Sequence, residues 1–252
     1  MTGCVWHGHD FQSFLCAGRE RWTGLQRPAE TCRPLLFPDG QRVDSSTAAV
    51  VDITGDGILD LVVAAGTPVD HNDVDPELWE EIKYGGLVVF EGPIDPHGSR
   101  PLFATSWKHT LWRSYYTNPE DSFDSDTAEV MTLAKGSGRP GEPALWVGGA
   151  WGSSWGLCRL WDGCQDYNTP HRTYVLGITT LDLDHPRPLE YDASVYLAGE
   201  DIGDLFGITL DRIEFAAPDG SPGLLINSAA APYNGDPAGR IDIYSMTDLA
   251  TH

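Results

Sequence analysis

Residues 60–66 read Asp60-Leu61-Val62-Val63-Ala64-Ala65-Gly66, and further along comes Gly86-Leu87-Val88-Val89-Phe90. Short apolar runs rich in β-branched side chains and bounded by glycine suit strands buried on both faces better than helices. The pattern recurs. Ala144-Leu145-Trp146-Val147-Gly148-Gly149-Ala150 is followed by Gly156-Leu157-Cys158-Arg159-Leu160-Trp161. Gly223-Leu224-Leu225-Ile226-Asn227-Ser228-Ala229 is followed by Gly239-Arg240-Ile241-Asp242-Ile243-Tyr244. Leu61, Leu145 and Leu224 thus align at intervals of about 80 residues, as one repeated unit would place them.

A further strand is predicted before each of these, at Ala48-Ala49-Val50-Val51, Glu129-Val130-Met131-Thr132-Leu133 and Phe206-Gly207-Ile208-Thr209-Leu210. A fourth, outer strand is expected near Leu102-Phe103-Ala104-Thr105 and near Arg172-Thr173-Tyr174-Val175-Leu176. Asp75 to Ile82 is the one helical candidate, with Pro76 near its start and acids in its first turn. Four strands per repeat, set around an axis, describe the blade of a β-propeller. The predicted fold is therefore all-β: a β-propeller of three to four blades, either complete or part of a larger ring. The repeats span about 46–125, 126–204 and 205–252. Residues 1–45 supply either an extra blade or an outer strand.

Composition narrows the function. The formal net charge of −21 opposes nucleic acid, whose phosphates require a basic patch, and equally opposes anionic membrane surfaces. No apolar run is long enough to insert in a membrane. Residues 1–10 lack the basic and apolar regions of a secretory leader. The five cysteines are Cys4, Cys16, Cys32, Cys158 and Cys164. No spacing among them matches a zinc site. Cys158 and Cys164 flank a candidate turn and are either bridged or reduced and buried.

Between the first two strands of repeat one lies Asp52-Ile53-Thr54-Gly55-Asp56-Gly57-Ile58-Leu59-Asp60. Oxygen side chains stand at the first, third, fifth and ninth positions, and glycine at the sixth. That spacing suits a hard cation with many oxygen ligands, and calcium is the preferred reading. The ligands would be Asp52, Thr54, Asp56, the Ile58 carbonyl and Asp60. The competing reading is an Asp/Gly-rich turn that holds its own backbone.

The run from Val50 to Gly66 resembles the FG-GAP/VCBS repeats of integrin-α-type β-propellers. Phe206-Gly207 and Ala231-Pro232 resemble the signatures that name the repeat. The resemblance covers about residues 46–246, and its first repeat is the best kept. It implies a calcium-binding propeller, seven-bladed in its family. It implies one calcium site here, because Lys135-Gly136-Ser137-Gly138-Arg139 replaces the acidic loop in repeat two and Asp219-Gly220 alone survives in repeat three.

In an up-and-down blade, loops alternate between two ends. The end away from the acidic loop would receive His71, Trp151, Trp155 and Tyr233. Exposed aromatic side chains there suit a glycan or protein ligand, while the two tryptophans would otherwise fill space between blades. No nucleophile elbow, metalloprotease helix or phosphate loop occurs. The leading expectation is a non-catalytic adhesion or recognition module outside the cell, in the periplasm or on the cell surface. A polysaccharide-acting lyase or hydrolase, and a structural segment of a larger propeller, are the alternatives.

Overall fold

The structure is a computed structural model. It describes residues 2–7, 10–17, 32–66, 86–109, 131–149, 174–184, 189–199, 206–214, 220–228, 232–233, 236–237 and 239–249. Within these the chain is all-β, with four principal sheets. The first contains β1 (Thr2–His7), β2 (Asp10–Leu15) and β3 (Arg33–Leu36), with β7 (Leu102–Phe103) added at its edge. The second has the order β4 (Asp44–Val51), β5 (Asp60–Gly66), β6 (Gly86–Phe90) and β8 (Ser106–His109). The third runs β9 (Met131–Lys135), β10 (Leu145–Gly149), β11 (Tyr174–Ile178) and β12 (Ala193–Ala198). The fourth is β13 (Phe206–Ile213), β14 (Gly223–Ser228) and β17 (Arg240–Ser245). A small ribbon, β15 (Pro232–Tyr233) and β16 (Asp236–Pro237), lies on the connection from β14 to β17. All pairings are antiparallel except β3 with β7.

Three apolar layers separate the four sheets. Leu35, Phe37 and Val43 from the first region meet Leu61, Val63, Val88 and Phe90 of the second sheet. The other face of that sheet, through Val62, Ala64, Leu87 and Val89, meets Leu145, Val147, Leu176 and Ile178 of the third. Trp146 and Val175 on the far face of the third sheet meet Phe206, Leu210, Leu224 and Ile226 of the fourth. Period-two alternation sends neighbouring residues of β5 into different layers, and both layers are apolar. That is why its sequence is a continuous apolar run with no polar face. Leu61, Leu145 and Leu224 are at most 2% exposed, and each points back at the preceding sheet.

Several strand assignments move. Leu102–Phe103 does not form the outer strand of the second sheet; it pairs in parallel with β3, and Ser106–His109 takes the outer place. Arg172–Leu176 was expected outermost, yet Tyr174–Ile178 is third in order, between β10 and β12. All five of its residues are buried, so an interior position follows from its composition. The outer strand is Ala193–Ala198, whose Ser194 and Ala198 are exposed. The place beside β10 at which residues 156–161 are expected is taken by β11. Those residues and the helical candidate at 75–82 lie outside the described residues. A disulfide joins Cys16 to Cys32, just after β2 and just before β3, a pairing that spacing alone did not indicate. Cys158 and Cys164 lie outside the described residues.

The third and fourth sheets approach backbone to backbone at Gly207. Its φ is +82°, and the β13–β14 register shifts between Phe206 and Thr209. Its carbonyl accepts a hydrogen bond from the Thr132 hydroxyl at 3.2 Å. A Cβ at this position would lie 2.6 Å from Val175 Cγ2, closer than real contacts allow. Gly207→Ala combines a left-handed backbone with a clash, and is expected to cost about 1–3 kcal/mol. Urea denaturation measures this; an unchanged midpoint would show that the two sheets can separate at no cost.

Candidate metal centre

The connection from β4 to β5 is the acidic loop. It turns back on itself through Gly55 and Gly57, with φ of +80° and +86°. Both lie in the left-handed region that side chains disfavour, so glycine winds the loop at least cost. Asp52 stands at its head. Its Oδ1 accepts from the Gly55 N–H and its Oδ2 from the Gly57 N–H, both at 2.8 Å. Asp56 Oδ1 accepts from the Ile58 N–H at 2.7 Å. The loop therefore wraps around the Asp52 carboxylate, and its tip, from Gly55 to Leu59, faces solvent.

Asp60 behaves differently. It is 0% exposed. Its Oδ2 accepts from the N–H groups of Ile53 at 3.0 Å and Thr54 at 3.2 Å, and from the Thr54 hydroxyl at 3.2 Å. Its Oδ1 accepts from the Gly92 N–H at 2.9 Å. Four donors compensate a carboxylate removed from water, where one left bare would be very costly. Asp60 thus ties both ends of the loop to the segment that follows β6. A second anchor runs from the Leu181 N–H, beyond β11, to the Ile53 carbonyl at 2.9 Å.

The five residues expected to bind calcium share this one turn, and the donor set is all oxygen. A carboxylate oxygen has two acceptor positions. Each Asp52 oxygen gives one to an N–H group, while Asp60 Oδ2 receives three donors. Among the described residues, no group of three or more His, Cys, Asp or Glu side chains gathers into a metal cluster. The loop as it stands is closed by its own amides.

The equivalent turn of the third sheet, between β9 and β10, has a different chemistry. Arg139 N–H bonds the Ser137 hydroxyl at 3.1 Å, and the Arg139 guanidinium lies 3.8 Å from Glu142. It also reaches the Thr247 hydroxyl at 2.9 Å, while Arg212 donates to the Gly136 carbonyl. A cation of the chain itself stands where the second sheet carries carboxylates. These contacts, with those of Ile53 and Leu181, gather the β4–β5, β9–β10, β11–β12 and β13–β14 connections at one end of the stack.

The connections β5–β6, β10–β11 and β14–β17 leave at the opposite end, because each joins antiparallel neighbours at their other termini. His71, Trp151 and Trp155 belong to the first two of these and lie outside the described residues. Tyr233 is on β15, in the third. Sequence reasoning missed Gly92 and Leu181 as partners of the loop, and no signal could have found them, since both act through backbone N–H groups. Neither a protein-family model nor a curated protein sequence matches the chain.

Asp60→Ala would leave buried N–H groups without an acceptor. The expected loss in chelator is about 2–5 kcal/mol, from the orphaned N–H groups alone, and at least as large in calcium. Thermal melting in both conditions checks it. A loss confined to calcium-containing buffer would mean that Asp60 acts through an ion.

Proposed function

We propose that the chain is a non-catalytic recognition module, built as a β-propeller or as a segment of one, with calcium in a structural role at the Asp52–Asp60 loop. The observation that carries this reading is the loop itself. It places three carboxylates and a hydroxyl on one glycine-wound turn at the end of a sheet buried on both faces. The Asp52, Asp56 and Asp60 carboxylates, the Thr54 hydroxyl and the Ile58 carbonyl would hold the ion. Bound there, calcium would neutralise the loop's charge and fix its path, while Asp60 anchors the turn to the second sheet. The stacking of four sheets in chain order supports the propeller reading. The Cys16–Cys32 disulfide supports an oxidising compartment such as the cell exterior or periplasm.

The ligand, a protein surface or a glycan, would meet the end opposite the loop, where His71, Trp151, Trp155 and Tyr233 would be carried. Loops over a rigid scaffold are the usual place for such contacts. Separation of the ends would leave calcium acting on stability and not on the ligand.

Binding confined to the folded state raises stability by about 2.7 kcal/mol at a hundredfold excess over Kd. Melting is therefore expected to move upward from chelator to calcium in the native chain, and to stop responding in Asp56→Ala. A native chain that melts identically in both buffers would remove calcium from the proposal.

Ligand contact is tested separately. If Trp151 and Trp155 stack on sugar rings, replacing both by Ala should weaken glycan-array binding about thirtyfold, the loss of an anchor of about 2 kcal/mol. Unchanged binding, or none by the native chain to glycans or candidate proteins, would count against recognition at that end.

A further inference from the structure

Among the described residues the fourth sheet stops one strand short of its two predecessors. The second and third sheets have four strands each, and among the described residues the fourth has three, with β17 paired to β14 alone. Its sequence is Arg240-Ile241-Asp242-Ile243-Tyr244-Ser245. Arg240, Asp242 and Tyr244 lie opposite Ser228, Ile226 and Leu224, on the face turned toward the third sheet. Ile241 and Ile243 face the other way and are 64% and 57% exposed. The outermost strand of the third sheet exposes only Ser194 and Ala198 at the like positions.

An edge with a row of exposed isoleucines is a template for another strand, and proteins usually blunt such edges with charge or proline. Here the two charges have opposite sign, sit two residues apart, and share a face. Arg240 Nε donates to Asp242 Oδ2 at 2.8 Å. A strand of this pattern is complementary to its own reversed copy.

The geometry points to a second copy of this chain as the occupant, with the two β17 edges paired antiparallel about a twofold axis at Ile241. In that register each Ile241 faces its counterpart. Arg240 of each copy lies opposite Asp242 of the other, so both charges are matched across the seam as well as along the strand. Pairing about Asp242 would set two like carboxylates opposite one another, which is unfavourable. Pairing about Ile243 would leave the charges without cross-strand partners. The charge pattern thus selects one register. A ribbon of this length falls below the area of stable dimers, so the association is weak and reversible, in the micromolar range or above.

Sedimentation of the full chain over a concentration series tests this, at an ionic strength that screens the repulsion between two bodies of net charge −21. A reversible monomer–dimer equilibrium is expected. Arg240→Asp and Asp242→Arg should each weaken dimerisation about tenfold on their own. An equimolar mixture of those two variants should recover a dimer, because an acidic strand then faces a basic one at both pairs. Ile241→Lys should abolish association while leaving the melting temperature near native, since the side chain is already in solvent. A chain that is monomeric at every concentration overturns the inference. So does a dimer indifferent to Ile241→Lys, or a mixture of the two charge variants that stays monomeric.

Discussion

Burial of one sheet on both of its faces governs the rest of the molecule. The strands β5 and β6 have no wet side, so each of their residues needs a neighbour from another sheet, and layers must form on either flank. Once Leu61, Val63, Val88 and Phe90 are covered by the first sheet and Val62, Ala64, Leu87 and Val89 by the third, the stacking order follows the chain order. Trp146 then repeats the arrangement one sheet further on, wholly enclosed against the fourth. Antiparallel pairing of neighbours then sends successive connections to alternate ends, and the acidic loop lies at one of them.

The parts legible in the sequence were those written in side chains of one kind. Apolar runs placed β5, β6, β10 and β14 to within a residue or two, and the spacing of three leucines gave the equivalent central strands. Outer strands were harder to read. Ala193–Ala198 mixes polar and apolar residues and has no strong periodicity. Leu102–Phe103 is too short for its pattern to say which sheet it joins. The acidic loop itself was legible as one turn, because glycine and aspartate at fixed offsets are a side-chain signal. What Asp60 does was not readable. Its four partners include three backbone N–H groups, and one of these, from Gly92, becomes a neighbour only when the sheet is assembled.

The same contrast separates the two kinds of turn at the loop end. In the second sheet a carboxylate collects amides, and in the third a guanidinium reaches the Thr247 hydroxyl and approaches Glu142. Both solve the problem of closing a turn over an apolar layer. One leaves excess negative charge at the surface; the other neutralises itself from within. Sheets of like strand order therefore need not share a loop chemistry, and a turn without acidic residues is compatible with an intact sheet below.

The parallel pairing of β3 with β7 has a consequence for assembly. The first sheet borrows a strand that follows β6 and precedes β8, the outer strand of the second sheet, and the Arg33 guanidinium seals the junction by bonding the carbonyls of Asp95 and Arg100 at 2.5 and 2.7 Å. An emerging chain cannot finish its first sheet until β4, β5 and β6 of the second have been made, so the two sheets interleave along the chain. A cut between β3 and β4 would part β7 from the strand it pairs with and Arg33 from the carbonyls it bonds.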